Sequence, residues 1–243
     1  MGRGAGPTRD WFSEFEESLW LRGDQGSEAE AAFVLRALRL EPGSHVLDAP
    51  CGAGRIAAHL AKSGCVVTGV DVNAKFVARA RTRFRTERVK GSFSVLDLRD
   101  LQFRDRFDGV CNWGGSFGYF SDEQNLEVLR RVAAALRNGG RLLIDQVNRQ
   151  YVLRHFRSVS VEPAVTIRTR WNAGLQRIES RWTLTRNGRQ RQCRSTIRLY
   201  TPSQLKRLLQ QVGLAWETAY GGPDGSNYRP SSRRLIVVGR KLS

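Results

Sequence analysis

Three aspartates, each at the end of a short apolar run, are the residues of this sequence best suited to bind a small polar ligand. Asp48 closes the run HVLD, Asp71 closes VVTGVD, and Asp97 follows FSVL. Gly52 and Gly54 come just after the first run, and glycine lets the chain turn tightly beneath a ligand. A helix that starts after such a turn points unpaired backbone N–H groups at the same place. The spacing therefore predicts a ligand site built from three carboxylates and one glycine turn.

The glycine turn by itself has two interpretations. Gly52 and Gly54, followed by Ala57, also fit the loose fingerprint of a dinucleotide-binding turn. A carboxylate at Asp48 would repel a pyrophosphate there, and the third glycine of the fingerprint is missing. S-adenosylmethionine has no phosphate and carries an ammonium and a sulfonium, so an acid at this position favours it. Each aspartate could instead cap a helix, which is the commoner role of an acid at such a junction.

Strands that alternate with helices must position these groups. Apolar runs that begin near residues 45, 66, 93, 108 and 141 are separated by helical patterns, which predicts a parallel sheet covered by helices. In such a sheet, ligands bind at the carboxyl ends of the strands, so the three aspartates should converge on one crevice. From about residue 159 the pattern has period two, and turns near 172–174 and 187–188 predict a meander of three antiparallel strands.

Three segments carry a resemblance to a known family. The chain resembles the class I S-adenosylmethionine-dependent methyltransferases in the segments VLDAPCGAGR, VTGVD and FDGVCNWGGSFGYF. The resemblance of the third segment continues as far as LLID. Within that superfamily the chain is similar, over nearly its whole length, to a set of small methyltransferase-domain proteins. The resemblance implies a doubly wound, Rossmann-like α/β fold with a seven-stranded, mainly parallel sheet whose last strand is antiparallel. It also implies S-adenosyl-L-methionine as cofactor and S-adenosyl-L-homocysteine as product.

The resemblance further assigns residues to parts of the cofactor by motif position. The methionine end would be contacted by Asp48, Ala49, Cys51, Gly52, Gly54 and Arg55. Asp71 and Val72 would contact the ribose, and Asp97 and Leu98 the adenine. Asn112 and Trp113 would face the reactive methyl group.

The methyl acceptor is less well specified, because methyl transfer needs mainly an in-line approach and removal of any acceptor proton. The fourth strand ends in NWGG, without the two prolines found there in DNA and RNA amino-methylating enzymes, which argues against methylation of base amines. Candidates to orient or deprotonate an acceptor are Asn112, Tyr119, Asp145, Asn148, Tyr151 and His155. Candidates to bind it are Trp113, Tyr119, Asn148, Arg168, Arg170 and Arg181. The aromatic residues could instead be core, and the arginines could be solvated edge protection.

The domain organisation follows from these elements. Residues 1–26 are expected to form a tail and a helix over residues 11–21, which either packs on the domain edge or acts as a lid. Residues 27–157 and 201–243 form the predicted methyltransferase domain. Residues 158–200 form an antiparallel β insertion that is expected to cap the acceptor site.

The net charge of +17 is concentrated after residue 150, where 18 Lys and Arg stand against four Asp and Glu. Such an excess predicts an anionic partner. We favour methylation of a small or medium-sized acceptor that can be anionic. The alternatives are an RNA methyltransferase that follows phosphates with its basic C-terminal part, and a cofactor-binding RNA scaffold without catalysis.

Membrane and metal-binding classes are disfavoured. No run approaches eighteen apolar residues and no apolar stretch follows the basic N-terminus, which argues against a spanning helix, a signal peptide and a membrane partner. The four cysteines form no CxxC pair and the histidines do not cluster, so no metal is expected and a cytoplasmic location fits.

Overall fold

The computed structural model describes residues 23–186 and 189–242. The predicted helix over residues 11–21 and the predicted turn at 187–188 lie outside these ranges. The helices are α1 (Ser27–Leu38), α2 (Arg55–Lys62), α3 (Ala74–Thr86), α4 (Asp122–Ala135), α5 (Arg149–Arg154) and α6 (Pro202–Gln211), with a single 3-10 turn over Leu98–Asp100. The strands are β1 (His45–Asp48), β2 (Val66–Asp71), β3 (Gly91–Val95), β4 (Phe107–Asn112), β5 (Leu136–Val147), β6 (Val159–Glu162), β7 (Val165–Asn172), β8 (Arg177–Arg186), β9 (Arg189–Arg198), β10 (Leu214–Tyr220) and β11 (Arg234–Lys241).

Seven strands form the central sheet, in the order β10-β11-β5-β4-β1-β2-β3. Strands β1 to β5 pair in parallel, whereas β11 pairs antiparallel with both β5 and β10. This confirms the predicted doubly wound α/β fold with an antiparallel last strand. The strand order reverses between β1 and β4. In open α/β sheets, ligands bind at such a switch point.

Two apolar cores lie on opposite faces of this sheet. Neighbouring residues of one strand, such as Val46 and Leu47, point into different cores, because side chains alternate across a sheet. One core holds the buried faces of α1, α2 and α3, and the other holds those of α4 and α6. Both faces are therefore covered, which explains why the parallel strands are continuously apolar in sequence.

The insertion is a separate antiparallel sheet in the order β6-β7-β8-β9. It has four strands, so the prediction of three was wrong. The missing strand, β6, has only four residues, all of them exposed, and the turn that follows it contains Ala164 at φ 66° instead of the expected glycine or asparagine. A short exposed strand without such a turn signal has little signature in sequence.

Two further differences concern β5 and the segment after it. Strand β5 begins at Leu136 rather than at the expected Arg141, and helix α5 follows it although no helix was expected there. No helix within residues 23–186 and 189–242 is both long enough and apolar enough to cross a bilayer.

Candidate active site

A cavity of about 770 Å³ opens at the carboxyl ends of β1, β2, β3 and β4. Asp48, Asp71 and Asp97 all line it, although each belongs to a different βα connection. The structure thus brings together the three carboxylates that the sequence places at strand ends. The volume is typical of a site that encloses a small organic ligand.

Asp48 is the most deeply buried of these carboxylates, with 2% of its surface exposed. The backbone N–H of Ala57, in the first turn of α2, donates a hydrogen bond to it. Burial, and after it the nearby carboxylate of Asp71, nevertheless raise the pKa of Asp48 to about 8, although Arg55 opposes the shift. A cationic ligand would favour the ionised form of Asp48, whereas a phosphate would oppose it.

Asp71 ties the end of β2 to the glycine turn. Its Oδ2 accepts a hydrogen bond from the N–H of Gly52 at 2.9 Å, and its Oδ1 accepts one from the N–H of Asn73 at 2.8 Å. Burial raises the pKa of Asp71, and these two hydrogen bonds reduce the shift. An ionised carboxylate offers about four acceptor positions, so two remain for a ligand.

The turn itself requires glycine for two reasons. Gly52 and Gly54 have φ of 51° and 74°, in the left-handed region that other residues rarely adopt. A Cβ added at Gly54 would also lie 3.0 Å from the Cβ of Ala80 on α3. This close packing of α3 explains why the turn can pass beneath the cavity, and why Gly54 itself does not line it.

At the third strand, Asp97 forms a forked ion pair that sequence reasoning missed. Its Oδ1 accepts from Arg99 Nε at 3.0 Å and its Oδ2 from Arg99 Nη2 at 2.7 Å. Asp97 also caps the following 3-10 turn by accepting from the backbone N–H of Arg99, so the helix-cap interpretation holds for this residue as well. The guanidinium of Arg99 lies 4.5 Å from the ring centre of Phe120, and all three residues line the cavity. The sequence signal for this ion pair was the spacing of Asp97 and Arg99, which are two residues apart in LDLRD.

Trp113 forms part of the cavity wall and is 5% exposed. Its Nε1–H donates to Glu30 Oε2 at 3.0 Å, and the guanidinium of Arg234 lies 4.3 Å from the centre of the indole. Glu30 comes from α1 and Arg234 from β11, 204 residues apart in sequence. Neither was predicted, because only the tertiary structure brings them to the end of β4.

Most of the remaining predicted cofactor residues line the cavity, and three do not. The lining includes Cys51, Gly52, Arg55, Val72 and Leu98, together with the acceptor candidates Trp113 and Tyr119. Ala49, Gly54 and Asn112 are not part of it. The Nδ2 of Asn112 donates to the carbonyl of Ala49 at 2.7 Å, so the side chain holds the ends of β1 and β4 together. The structure therefore does not support Asn112 as a catalytic residue.

Asn148 and His155, two further candidates to orient or deprotonate an acceptor, also lie outside the cavity. The Nδ2 of Asn148 donates to the carbonyl of Ser232 at 2.8 Å, and its Oδ1 accepts from the hydroxyl of Tyr228 at 3.1 Å. This buried amide fastens the loop before β11 to the end of β5. His155 stacks on Tyr151 with ring centres 4.2 Å apart and is exposed. Asp145 does not line the cavity either, because it is buried in an ion pair with Arg234.

Arg168, Arg170 and Arg181 line a second cavity, of about 1150 Å³, formed by one face of the β insertion. Tyr119 and Phe120 contribute to both cavities and form the wall between them. The three arginines are thus close to the first cavity without being part of it. Among the described residues, no group of three His, Cys, Asp or Glu side chains is arranged to hold a metal ion.

Residues 46–140 match the family described as "Methyltransferase domain". Among curated proteins, the ubiquinone biosynthesis O-methyltransferase of Coxiella burnetii is 28% identical over 149 residues, which are 58% of this chain and 61% of that protein. The chain spans about half to three-fifths of the length of the first curated relatives it matches.

Two solved structures extend the likeness to the whole fold. The CcbJ methyltransferase from Streptomyces caelestis superposes with a TM-score of 0.82 at 16% identity, over 98% of this chain and all of that one. CalS10 from Micromonospora echinaspora, described as an amino pentose methyltransferase with bound S-adenosylmethionine, gives a TM-score of 0.65 at 17% identity and covers 91% of this chain and 92% of its own. At these identities the comparison shows the fold alone.

Proposed function

We propose that this chain is a class I S-adenosylmethionine-dependent methyltransferase, which binds S-adenosylmethionine in the 770 Å³ cavity and methylates a small or medium-sized organic acceptor. The observation that carries the proposal is the convergence of Asp48, Asp71 and Asp97 on one cavity beside a left-handed glycine turn. The matched family and the fold support it. We also propose a cytoplasmic location, and the four cysteines, which are free and buried, support it.

The chemistry of the donor groups fits this cofactor. Asp48 is buried and its pKa is raised, so a positively charged methionine end would restore its ionised form. Asp71 keeps acceptor positions for two ribose hydroxyls, and we assign Asp97 and the backbone of Leu98, which also line the cavity, to the adenine edge. A pyrophosphate at the glycine turn would oppose the ionisation of the buried Asp48, which disfavours a dinucleotide.

When bound, S-adenosylmethionine supplies an electrophilic methyl group on a sulfonium. The chain's contribution is then to orient the acceptor and to exclude water. The indole of Trp113 and the backbone of Gly114 and Gly115 form the wall after β4, and Tyr119 and Phe120 form the side toward the β insertion. We assign Trp113 and Tyr119 to acceptor contact on this basis.

A small acceptor is favoured over RNA by the state of the two tryptophans that could stack on bases. Trp171 is half-buried under the guanidinium of Arg149, 5.1 Å from its ring centre. Trp182 is also half-buried, and its Nε1–H donates to Ser195 Oγ at 2.9 Å. Open aromatic faces are what single-stranded RNA recognition requires. The description of CalS10 as an amino pentose methyltransferase accords with the same preference.

The first test is calorimetry with S-adenosylmethionine on the wild type, Asp71→Asn and Asp105→Asn. Asp105 is an exposed residue that does not line the cavity, so its substitution removes the same charge away from the site. We expect Asp71→Asn to weaken binding at least about tenfold, as for loss of hydrogen bonds to a charged group, and Asp105→Asn to leave it unchanged. Equal affinities of all three proteins would contradict the ribose assignment.

The acceptor class is tested with methyl-labelled S-adenosylmethionine and, separately, total RNA and a small-molecule extract of the source cell. Label in the small-molecule fraction alone supports the proposal. Label in RNA would instead support the RNA methyltransferase. If neither fraction is labelled although the cofactor binds, the catalytically silent scaffold becomes the better interpretation.

A further inference from the structure

Three arginines form a row across the β insertion. Arg168 on β7 is directly opposite Arg181 on β8, and Arg181 is directly opposite Arg194 on β9. All three are exposed, and all three line the 1150 Å³ cavity. Opposed positions in an antiparallel sheet bring Cβ atoms to about 5 Å, so the three guanidinium groups can reach one common ligand. We call these residues the arginine row.

The arginine row has no acidic partner within residues 23–186 and 189–242, whereas the other arginines of the same cavity do have partners. Arg170 pairs with Glu179, with Nε to Oε2 at 3.1 Å. Arg198 contacts Asp122 at 3.3 Å, and Arg177 donates to the carbonyl of Gly118 at 3.3 Å. Of the three acids that line this cavity, Glu179 and Asp122 are therefore already paired, and Glu123 interacts with Arg177 rather than with the row. The row is the uncompensated part of the cavity's positive charge.

A purely structural role does not explain this arrangement. Like charges placed directly opposite each other destabilise a sheet. Charged residues that protect a sheet from aggregation act at its edges, but β7 and β8, which carry Arg168 and Arg181, are the inner strands. A row of like charges on inner strands is expected where an anion binds between them.

The row is held in a defined position next to the first cavity. The N–H of Arg198 donates to the carbonyl of Gly118 at 2.8 Å, and a Cβ at Gly118 would come within 2.4 Å of the carbonyl oxygen of Arg198. This close approach joins the end of β9 to the segment that continues into Tyr119 and Phe120. A ligand that spans the shared wall could therefore contact the row and the first cavity at once.

We propose that the arginine row binds a phosphoryl group of the methyl acceptor, an inference that rests on the proposed function. A phosphoryl group carries up to two charges and three terminal oxygens, and guanidinium groups bind such oxygens in pairs of parallel hydrogen bonds. A single carboxylate is satisfied by one arginine, so a row of three favours phosphate. Arg170 was predicted to bind the acceptor, but its pairing with Glu179 leaves it outside this assignment.

The test is calorimetry with inorganic phosphate, and with acetate as the carboxylate control, on two double variants. R168Q/R181Q removes two charges from the row. R189Q/R191Q removes two charges from β9 at exposed residues that do not line the cavity. We expect phosphate to bind the wild type more tightly than acetate does, and at least about tenfold more tightly than it binds R168Q/R181Q, as for loss of charged hydrogen bonds. R189Q/R191Q should stay within about threefold of the wild type, since exposed charges at a distance are screened.

Folding does not confound this test, because the row variant should melt at the same temperature as the wild type or higher once the repulsion is relieved. Equal losses in both double variants, equal binding of acetate and phosphate, or no binding of phosphate by the wild type would overturn the proposal. Binding of an RNA oligonucleotide that is steeply salt-dependent and weakened only in R168Q/R181Q, without phosphate binding, would overturn it in favour of RNA.

Calorimetry of S-adenosylmethionine on the same proteins separates this inference from the proposed function. Retained cofactor binding in all variants, with phosphate binding lost only in R168Q/R181Q, supports both. If the cofactor binds but phosphate does not, only the arginine-row inference fails. If the wild type binds phosphate but not the cofactor, the proposed function fails, and with it the assignment of the phosphate to a methyl acceptor.

Discussion

The carboxylate of Asp145 accepts hydrogen bonds from both Nε and Nη2 of Arg234, and the same carboxylate accepts one from the N–H of Gly114 at 2.8 Å. The pair joins β5 to β11 and holds the backbone that forms the cavity wall after β4. Arg234 Nη1 continues to Glu30 Oε1 at 3.3 Å, and Glu30 Oε2 to Arg55 Nη1 at 2.7 Å. One network of charges therefore connects α1, α2, β5 and β11 around the indole of Trp113.

Asp145→Asn tests this pair. The substitution leaves the half-buried guanidinium of Arg234 with Glu30 as its remaining acidic partner. The lost charged hydrogen bonds cost about 2 kcal/mol of unfolding free energy and lower Tm by about 4 °C or more. Asp105→Asn is the matched control, because Asp105 forms an exposed ion pair with Lys241 and exposed pairs contribute about 0–1 kcal/mol. Equal melting temperatures of the two variants would show that the Asp145–Arg234 pair adds little stability.

Asp145 is a positioning residue, so its effect on turnover should differ from that of a cavity residue. We expect Asp145→Asn to lower kcat while the Kd for S-adenosylmethionine changes less than about threefold, because binding groups such as Asp48 and Asp71 are untouched. The separate variant Arg234→Lys keeps the charge but loses the forked geometry, so its kcat should also fall below that of the wild type. Full activity of Arg234→Lys would indicate that charge alone matters.

Asp48 should make the free protein less stable as the pH rises. Its folded pKa of about 8 lies above the ordinary value of 3.8, so the folded protein holds a proton that the unfolded chain has released. Stability therefore falls between about pH 4 and pH 8, and the loss is complete above that window. Asp48→Asn cannot ionise, so its Tm should exceed that of the wild type by about 5 °C or more at pH 8.5 and by much less at pH 5.

Thermal melts from pH 5 to pH 9 measure this difference, with Asp105→Asn as the control. The pKa of Asp105 is lowered by Lys241, so its curve should stay parallel to that of the wild type. The same Asp48→Asn protein should bind S-adenosylmethionine at least about tenfold more weakly, since it loses charged hydrogen bonds to the methionine end. A constant Tm difference across the pH range would refute the raised pKa of Asp48.

Gly54→Ala should abolish cofactor binding, although Gly54 does not line the cavity. The new Cβ would meet Ala80 at 3.0 Å and would have to adopt φ of 74°. Gly139→Ala is the control, because Gly139 has a similar φ of 79° but no atom within 4 Å of the new Cβ. Both variants bear the strain of a left-handed residue, about 1 kcal/mol, and only Gly54→Ala should also displace the turn. Calorimetry of both proteins distinguishes the two effects.

The insertion and the loop before β11 show where local patterns stop being informative. Alternation in residues 159–200 predicts strands, but whether Arg168 lies opposite Arg181 depends on the hydrogen-bond register. That register is set by turn geometry, and a slip of one residue moves every side chain to the other face. Likewise, nothing near Asn148 in sequence indicates that Tyr228 and Ser232, 80 and 84 residues later in the chain, form hydrogen bonds with its amide.

What the sequence alone determined is local and periodic. Apolar runs that end in Asp48, Asp71 and Asp97 identify the strands and place the carboxylates at one edge of a parallel sheet, since chirality and hydrogen bonding leave few other arrangements. The tertiary structure alone decided which polar groups are already satisfied. It paired Asp145 with Arg234 and Asp97 with Arg99, and it left the arginine row without acids. Such partners are chosen by packing between distant segments, and their energies depend on burial that no single segment specifies.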